Sequence, residues 1–132
     1  MPTKLLINID VDDLERGVAF YTQALDLRRG RTLFDGTVVE LTGASSAIFL
    51  LLKPAGTPAA GGTRHRRRYR RHWTPVHLDF VVTDVAAAVT RAVAAGARLE
   101  GAIKSYDWGR LATLADPFGN GFCLIELPKG DY

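Results

Sequence analysis

Few side chains in this 132-residue sequence can bind a metal or move a proton, and several of them sit in its second half. His77 is followed two positions later by Asp79. In an extended strand such residues share a face, so Asp79 could orient the His77 ring or be an exposed edge carboxylate. His77 itself could be a ligand or a general base, because imidazole titrates near neutral pH. It could equally be a wall histidine that bonds a neighbour. Cys123 is the single cysteine, so an intrachain disulfide and a zinc site of paired cysteines are both excluded. Its thiol could be reactive, or it could be a small buried hydrophobe. Tyr106, Asp107, Trp108, Gly109 and Arg110 approach a strand. Their rings could stack on a planar ligand and Arg110 could pair with an anion, or the group could be a packed hairpin corner. Glu40 reads as a solvent-face residue of its strand.

A second chemical feature is the run Arg64-His65-Arg66-Arg67-Arg68-Tyr69-Arg70-Arg71-His72-Trp73. The chain has 17 basic and 14 acidic residues, a formal net charge of +3. Six of the arginines lie between positions 64 and 71, so the rest of the chain holds 11 basic against 14 acidic groups. The body is mildly acidic and the basic character is local. The run could bind phosphate backbones with Tyr69 and Trp73 stacking on bases. It could be a flap that lends charge to a ligand site, or a solvated linker. An acidic body opposes a polyanion over the remaining surface, so a nucleic-acid partner is disfavoured.

These residues need elements to position them. Leu5 to Val11 alternates and reads as a strand. Asp12 or Asp13 can cap a helix whose apolar stripe is Leu14, Val18, Tyr21 and Leu25. Arg31 to Phe34 and Thr37 to Leu41 flank Asp35-Gly36, a hairpin signal, and Ala47 to Lys53 is a further strand. The order then restarts. Val76 to Val82 reads as a strand, and Asp84 caps a helix carrying Val85, Val89, Ala92 and Val93. Gly96 stands at its C-terminal cap. Ala97 to Ile103 reads as a strand, and Arg110 to Ala115 with Gly121 to Leu127 as a hairpin. An offset of 71 maps Val11, Asp13, Leu14 and Val18 onto Val82, Asp84, Val85 and Val89. The chain is therefore an internal repeat of two βαβββ modules, 1–54 and 75–132, joined by a loop over 55–74 that carries the arginine run. One module leaves an apolar sheet face uncovered, and two copies can curve around a shared cavity. No apolar run approaches membrane-spanning length, and the single cysteine suits a reducing, cytoplasmic setting.

The segment Val11-Asp12-Asp13-Leu14-Glu15-Arg16-Gly17-Val18-Ala19-Phe20-Tyr21-Thr22-Gln23-Ala24-Leu25-Asp26-Leu27 resembles the first-module signature of the vicinal oxygen chelate superfamily. That superfamily includes glyoxalase I, extradiol dioxygenases and bleomycin-resistance proteins. Asp26 stands where the family pattern has glycine. Ala115-Asp116-Pro117-Phe118-Gly119-Asn120-Gly121-Phe122 resembles the family turn before the last strand. The resemblance implies an α+β fold, a cupped mixed sheet with helices outside, and a homodimer. It implies a small aromatic or anionic ligand between the modules, contacted by His77, Tyr106, Trp108, Arg110 and Cys123. It also implies divalent-metal ligands on the first and last strand of each module. Leu6 occupies the first of those positions and Ile48 to Leu52 offers no donor. His77 occupies the third and Cys123 the fourth, with Glu126 three residues further on and, by strand parity, on the other face. A register slip would turn Glu126 inward beside His77. The expectation is a ligand-binding protein of the bleomycin-resistance kind without the full metal centre. The alternative is a metal-dependent lyase, isomerase or dioxygenase; nucleic-acid binding through the arginine run is the lesser alternative.

Overall fold

Each repeat folds into its own sheet by the same path. In the computed structural model, which describes residues 2–131, the first sheet has the strand order β1-β4-β3-β2. Its strands are β1 (Leu6–Val11), β2 (Arg28–Leu33), β3 (Val38–Thr42) and β4 (Ala47–Leu52), with helix α1 (Leu14–Leu25) between β1 and β2. The second sheet has the order β5-β9-β8-β6, with β7 also paired to β8. Its strands are β5 (Leu78–Val82), β6 (Arg98–Leu99), β7 (Lys104–Tyr106), β8 (Gly109–Ala115) and β9 (Gly121–Glu126), with helix α2 (Val85–Ala95) after β5. β1 runs parallel to β4 as β5 does to β9. The chain divides into two compact units, residues 1–22 with 26–69 and residues 23–25 with 70–132.

The offset of 71 reaches the caps. Asp13 accepts a hydrogen bond from the Arg16 amide at 3.0 Å, and Asp84 accepts one from the Ala87 amide at 3.1 Å. Both cap residues are extended, with φ near −140°, so each side chain folds back to satisfy an amide that the first turn leaves unpaired. Asp26, at the family's glycine position, ends α1 in the left-handed region at φ 55°. Aspartate tolerates that conformation better than most residues, and glycine better still.

In the first sheet Ile9, Val11, Val39, Leu41, Ile48 and Leu50 are buried. They share one face by register, as the alternation requires. Phe20, Tyr21 and Ala24 are the buried side of α1, so Tyr21 is a packing residue. Glu40 is more than a solvent-face residue: its carboxylate binds the Arg31 guanidinium at 2.9–3.0 Å and the Arg31 amide at 3.3 Å. Those bonds hold the Glu40 carboxyl below its ordinary range.

The second sheet departs from the sequence expectation in two places. The span Ala97 to Ile103 is two short strands rather than one, because Gly101 at φ +83° breaks the extended path between β6 and β7. β5 begins at Leu78, not Val76, because the backbone ahead of Phe122 is already paired with His72 through Gly119 and Gly121. α2 packs on β8 and β9 through Val85, Ala88, Val89 and Ala92, against buried Ala112, Leu114, Phe122 and Leu124.

The arginine run is folded. Arg67 binds the Asp10 carboxylate at 2.6 Å and reaches Thr57 Oγ1 and the Pro58 and Ala59 carbonyls. The Tyr69 hydroxyl donates to the Lys53 carbonyl at 2.5 Å. Arg71 makes a two-pronged ion pair with Glu100. Positions 67, 69 and 71 thus turn to the protein while Arg64, Arg66, Arg68 and Arg70 are exposed. That is strand periodicity in a segment with no strand assignment.

Candidate functional site

Two faces of the second sheet carry different chemistry. Register pairs Leu78 with Phe122, Phe80 with Leu124 and Val82 with Glu126, and this is the face that α2 covers. The opposite face presents Asp79 beside Cys123, and Cys123 beside Thr113 on β8. His77, one step before β5, follows the same parity. Its Nε2 lies 3.2 Å from Asp79 Oδ1. One ligand-type atom from each of His77, Asp79 and Cys123 lies within 4.8 Å of the others.

The start of this face is shaped by the turn Asp116–Asn120. Asp116 is 5% exposed, yet its carboxylate is fully employed. It accepts from the amides of Phe118 and Asn120 at 2.8 and 2.9 Å and from the Asn120 side chain at 2.9 Å. Gly119 has φ +89°, and a side chain there would strike the Arg70 carbonyl. The tail of the arginine run docks onto this turn. The His72 amide donates to the Gly119 carbonyl at 2.9 Å and the Gly121 amide to the His72 carbonyl at 3.2 Å.

The chain then bulges through Trp73, Thr74, Pro75 and Val76 before β5 starts. The bulge lays the Trp73 ring over Gly121, where an added Cβ would come within 2.6 Å of it. The ring meets His77 edge to face, 5.3 Å between centroids. Arg71, clamped by Glu100, places its guanidinium 4.7 Å from the Trp73 centroid, a cation–π contact. Trp73 remains 43% exposed. An indole wall, an imidazole, a carboxylate and a thiol therefore line one short stretch of sheet. Burial, then the Asp79 charge, pushes the Cys123 thiol above its ordinary range, against a hydrogen bond with Thr113. Both effects disfavour a thiolate at Cys123.

The residues singled out from the sequence do not all meet. His77 and Cys123 come together, and Asp79 joins them. Tyr106 stacks on Trp108, ring centroids 5.0 Å apart and 6° from parallel, but Tyr106 pairs with Gly109. Gly109 lies four residues down β8 from Thr113, about 13 Å away. Arg110 is opposite Glu126 across the β8–β9 ladder, on the α2 face. Glu126 does not turn toward His77: its carboxylate accepts from the Val85 amide at 2.9 Å and so caps α2. The slipped register that would free it does not occur. A cavity of about 420 Å³ at the other end of β5 and β9 is lined by Val81, Thr83, Glu126 and Pro128 among others. It is away from His77, and its one carboxylate is the one engaged in that cap. The sequence offers Trp73 only as a stacking ring of the arginine run; its place beside His77 depends on the bridge between His72 and Asn120, residues far apart in the chain.

A glyoxalase-like domain family model matches residues 6–125. The chain belongs to the glyoxalase-like domain family. This glyoxalase-like protein is 32% identical over 117 residues to the uncharacterized protein Rv0887c of Mycobacterium tuberculosis, covering 86% of this chain and 68% of that one. It is 40% identical over 76 residues to the anthracycline biosynthesis protein DnrV of Streptomyces peucetius, covering 58% of this chain and 26% of that one. Among solved structures it is similar to TnmS3, an antibiotic binding protein from a Streptomyces species. The TM-score is 0.66 at 22% identity, over 96% of this chain and 97% of that one. The two-module α+β fold is thus that of the glyoxalase, bleomycin-resistance and dioxygenase superfamily. The four metal positions that the superfamily implies do not fit this chain. Leu6 and the apolar β4 sequence Ala-Ile-Phe-Leu-Leu-Leu supply no donor, so the first module cannot contribute its half of that centre.

Proposed function

We propose that this protein binds a planar aromatic small molecule of the antibiotic or natural-product type on the face of the second sheet that carries His77, Asp79 and Cys123. The observation that carries the reading is the placement of the half-exposed Trp73 ring beside His77, Asp79 and Cys123. Indole offers a stacking surface. His77 and Asp79 offer a hydrogen-bond donor and acceptor that fix the orientation of phenol, quinone or carboxylate groups. The names of DnrV and TnmS3 support the same ligand class. Tyr106 and Trp108, stacked further along the same face, extend the aromatic surface for a longer ligand. Arg110, opposite Glu126 on the other face of the sheet, is left out of this ligand site.

The test is a binding titration with a fluorescent anthracycline in chelator-treated protein. Saturable binding is expected, with a several-fold loss in Trp73→Ala and in His77→Ala and little change in Arg64→Ser. Absence of saturable binding by an anthracycline and by a second polycyclic quinone would refute the ligand class. Equal binding by the Trp73 and His77 variants would refute the place.

A further inference from the structure

We propose that the arginine run is a docking edge for an extended acidic segment of another protein, centred on Arg64, Arg66 and Arg68. The observation that carries this is the backbone pairing of the run with its own loop. The Arg67 amide donates to the Thr57 carbonyl at 2.7 Å, and the Gly56 amide to the Arg67 carbonyl at 2.8 Å. The Ala59 amide donates to the His65 carbonyl at 2.8 Å. These bonds flank an antiparallel bridge between Pro58 and Arg66. In such a ladder the backbone groups of successive residues point to opposite edges. His65 and Arg67 direct theirs to residues 56–59, so the Arg66 amide and carbonyl point away. Among the described residues neither has a hydrogen-bond partner.

The side chains alternate as well. Arg67 is held by Asp10 and Tyr69 by the Lys53 carbonyl, whereas Arg64, Arg66 and Arg68 are exposed. The Arg66 guanidinium donates to the neutral Gly56 carbonyl at 2.9 Å. None of the three has an ion-pair partner among the described residues. Three uncompensated guanidinium groups thus leave the run at alternate positions, and alternate residues of an extended chain stand roughly 6.8 Å apart. A peptide with a carboxylate at every second residue has the same repeat. Laid along the open edge, it pairs its backbone with Arg66 and its carboxylates with the guanidinium forks. Exposed ion pairs are individually weak, so affinity here needs several of them together with the backbone pairing. Single-stranded nucleic acid binds through base stacking as well as charge. Tyr69, the aromatic ring inside the run, is bonded inward, and the remaining sequence is mildly acidic. Both favour a peptide. Arg64, Arg66 and Arg68 take no part in the aromatic-ligand reading, so the two stand or fall separately.

The experiment is a fluorescence-anisotropy titration of the full chain against a labelled peptide of Glu-Thr repeats at low salt. Three comparison probes are a peptide of the same composition with its glutamates consecutive, the repeat peptide N-methylated at alternate residues, and a single-stranded oligonucleotide of equal charge. The repeat peptide should bind saturably, and several-fold more tightly than each of the other three. Its affinity should fall as salt is raised. The double variant Arg64→Ser/Arg68→Ser should lose roughly tenfold in affinity, with the melting temperature nearly unchanged. Arg28→Ser, at an exposed arginine of β2, should bind like wild type. No saturable binding of the repeat peptide overturns the proposal. So does equal binding of the consecutive-glutamate or N-methylated peptide, which would leave charge alone without edge pairing. Tighter binding of the oligonucleotide, or a double variant that binds like wild type, overturns it too.

Discussion

Single residues here hold positions that the chain's neighbouring chemistry does not reveal. Asp26 sits at φ 55° where the family pattern has glycine. Asp26→Gly should raise stability by about 0.5–1 kcal/mol, read as a higher urea midpoint with unchanged slope. Tyr69 makes a pH prediction. Burial first, then Asp10 and Asp12, push its phenol up to about 12 from 10. The folded protein therefore holds that proton more tightly than the unfolded chain does, and stability is lost as pH rises from 10 toward 12. Tyr69→Phe should flatten that part of the melting-temperature profile while costing about 1 kcal/mol at neutral pH through the lost bond to Lys53. His77 is legible as chemistry because an imidazole two residues from a carboxylate on a strand is informative by type and spacing. Trp73 is legible as a stacking ring but not as a neighbour of His77, since a ring placed by a bulge has no periodic signature.

At the scale of elements, period-two and helical patterns locate both helices and most strands, because burial on one face enforces them. They fail at Gly101, where a positive φ breaks the extended path, and at Val76, where His72 takes the pairing instead. Strand parity from Gly119 places Glu126 away from Cys123, and the ladder agrees. Its use as a cap for α2 could not be read, since the Val85 amide lies 41 positions away. The Asp116 turn should carry much of the scaffold. Asp116→Ala strips three hydrogen bonds from a buried turn and should cost about 2–4 kcal/mol in urea unfolding. The arginine run should behave as an element, not a tether. Wild-type protein should resist trypsin between residues 64 and 71. Arg67→Ala or Arg71→Ala, each leaving a part-buried carboxylate unpaired, should be cut readily there and lose about 1–2 kcal/mol.

Over the whole chain the basic character is confined to one segment and the remaining sequence is mildly acidic. The formal charge of +3 resides in a segment whose alternate side chains are already committed to the protein. Arg64, Arg68 and Arg70 have no ion-pair partner among the described residues. Replacing all three with serine should weaken cation-exchange retention strongly and leave the melting temperature nearly unchanged, as surface substitutions do. The repeat, read from caps and helix stripes, extends to the parallel pairing of first and last strand in both modules. The modules differ in side-chain chemistry: β4 is wholly apolar, whereas β5 and β9 carry Asp79 and Cys123. Ligand recognition beside Trp73 and His77 can be watched residue by residue, with amide and indole nuclear magnetic resonance during an anthracycline titration. The Trp73 indole signal and the amides of residues 77–79 and 121–124 should shift together and saturate. Saturable shifts confined to other residues, with the Trp73 indole unmoved, would contradict recognition at that place.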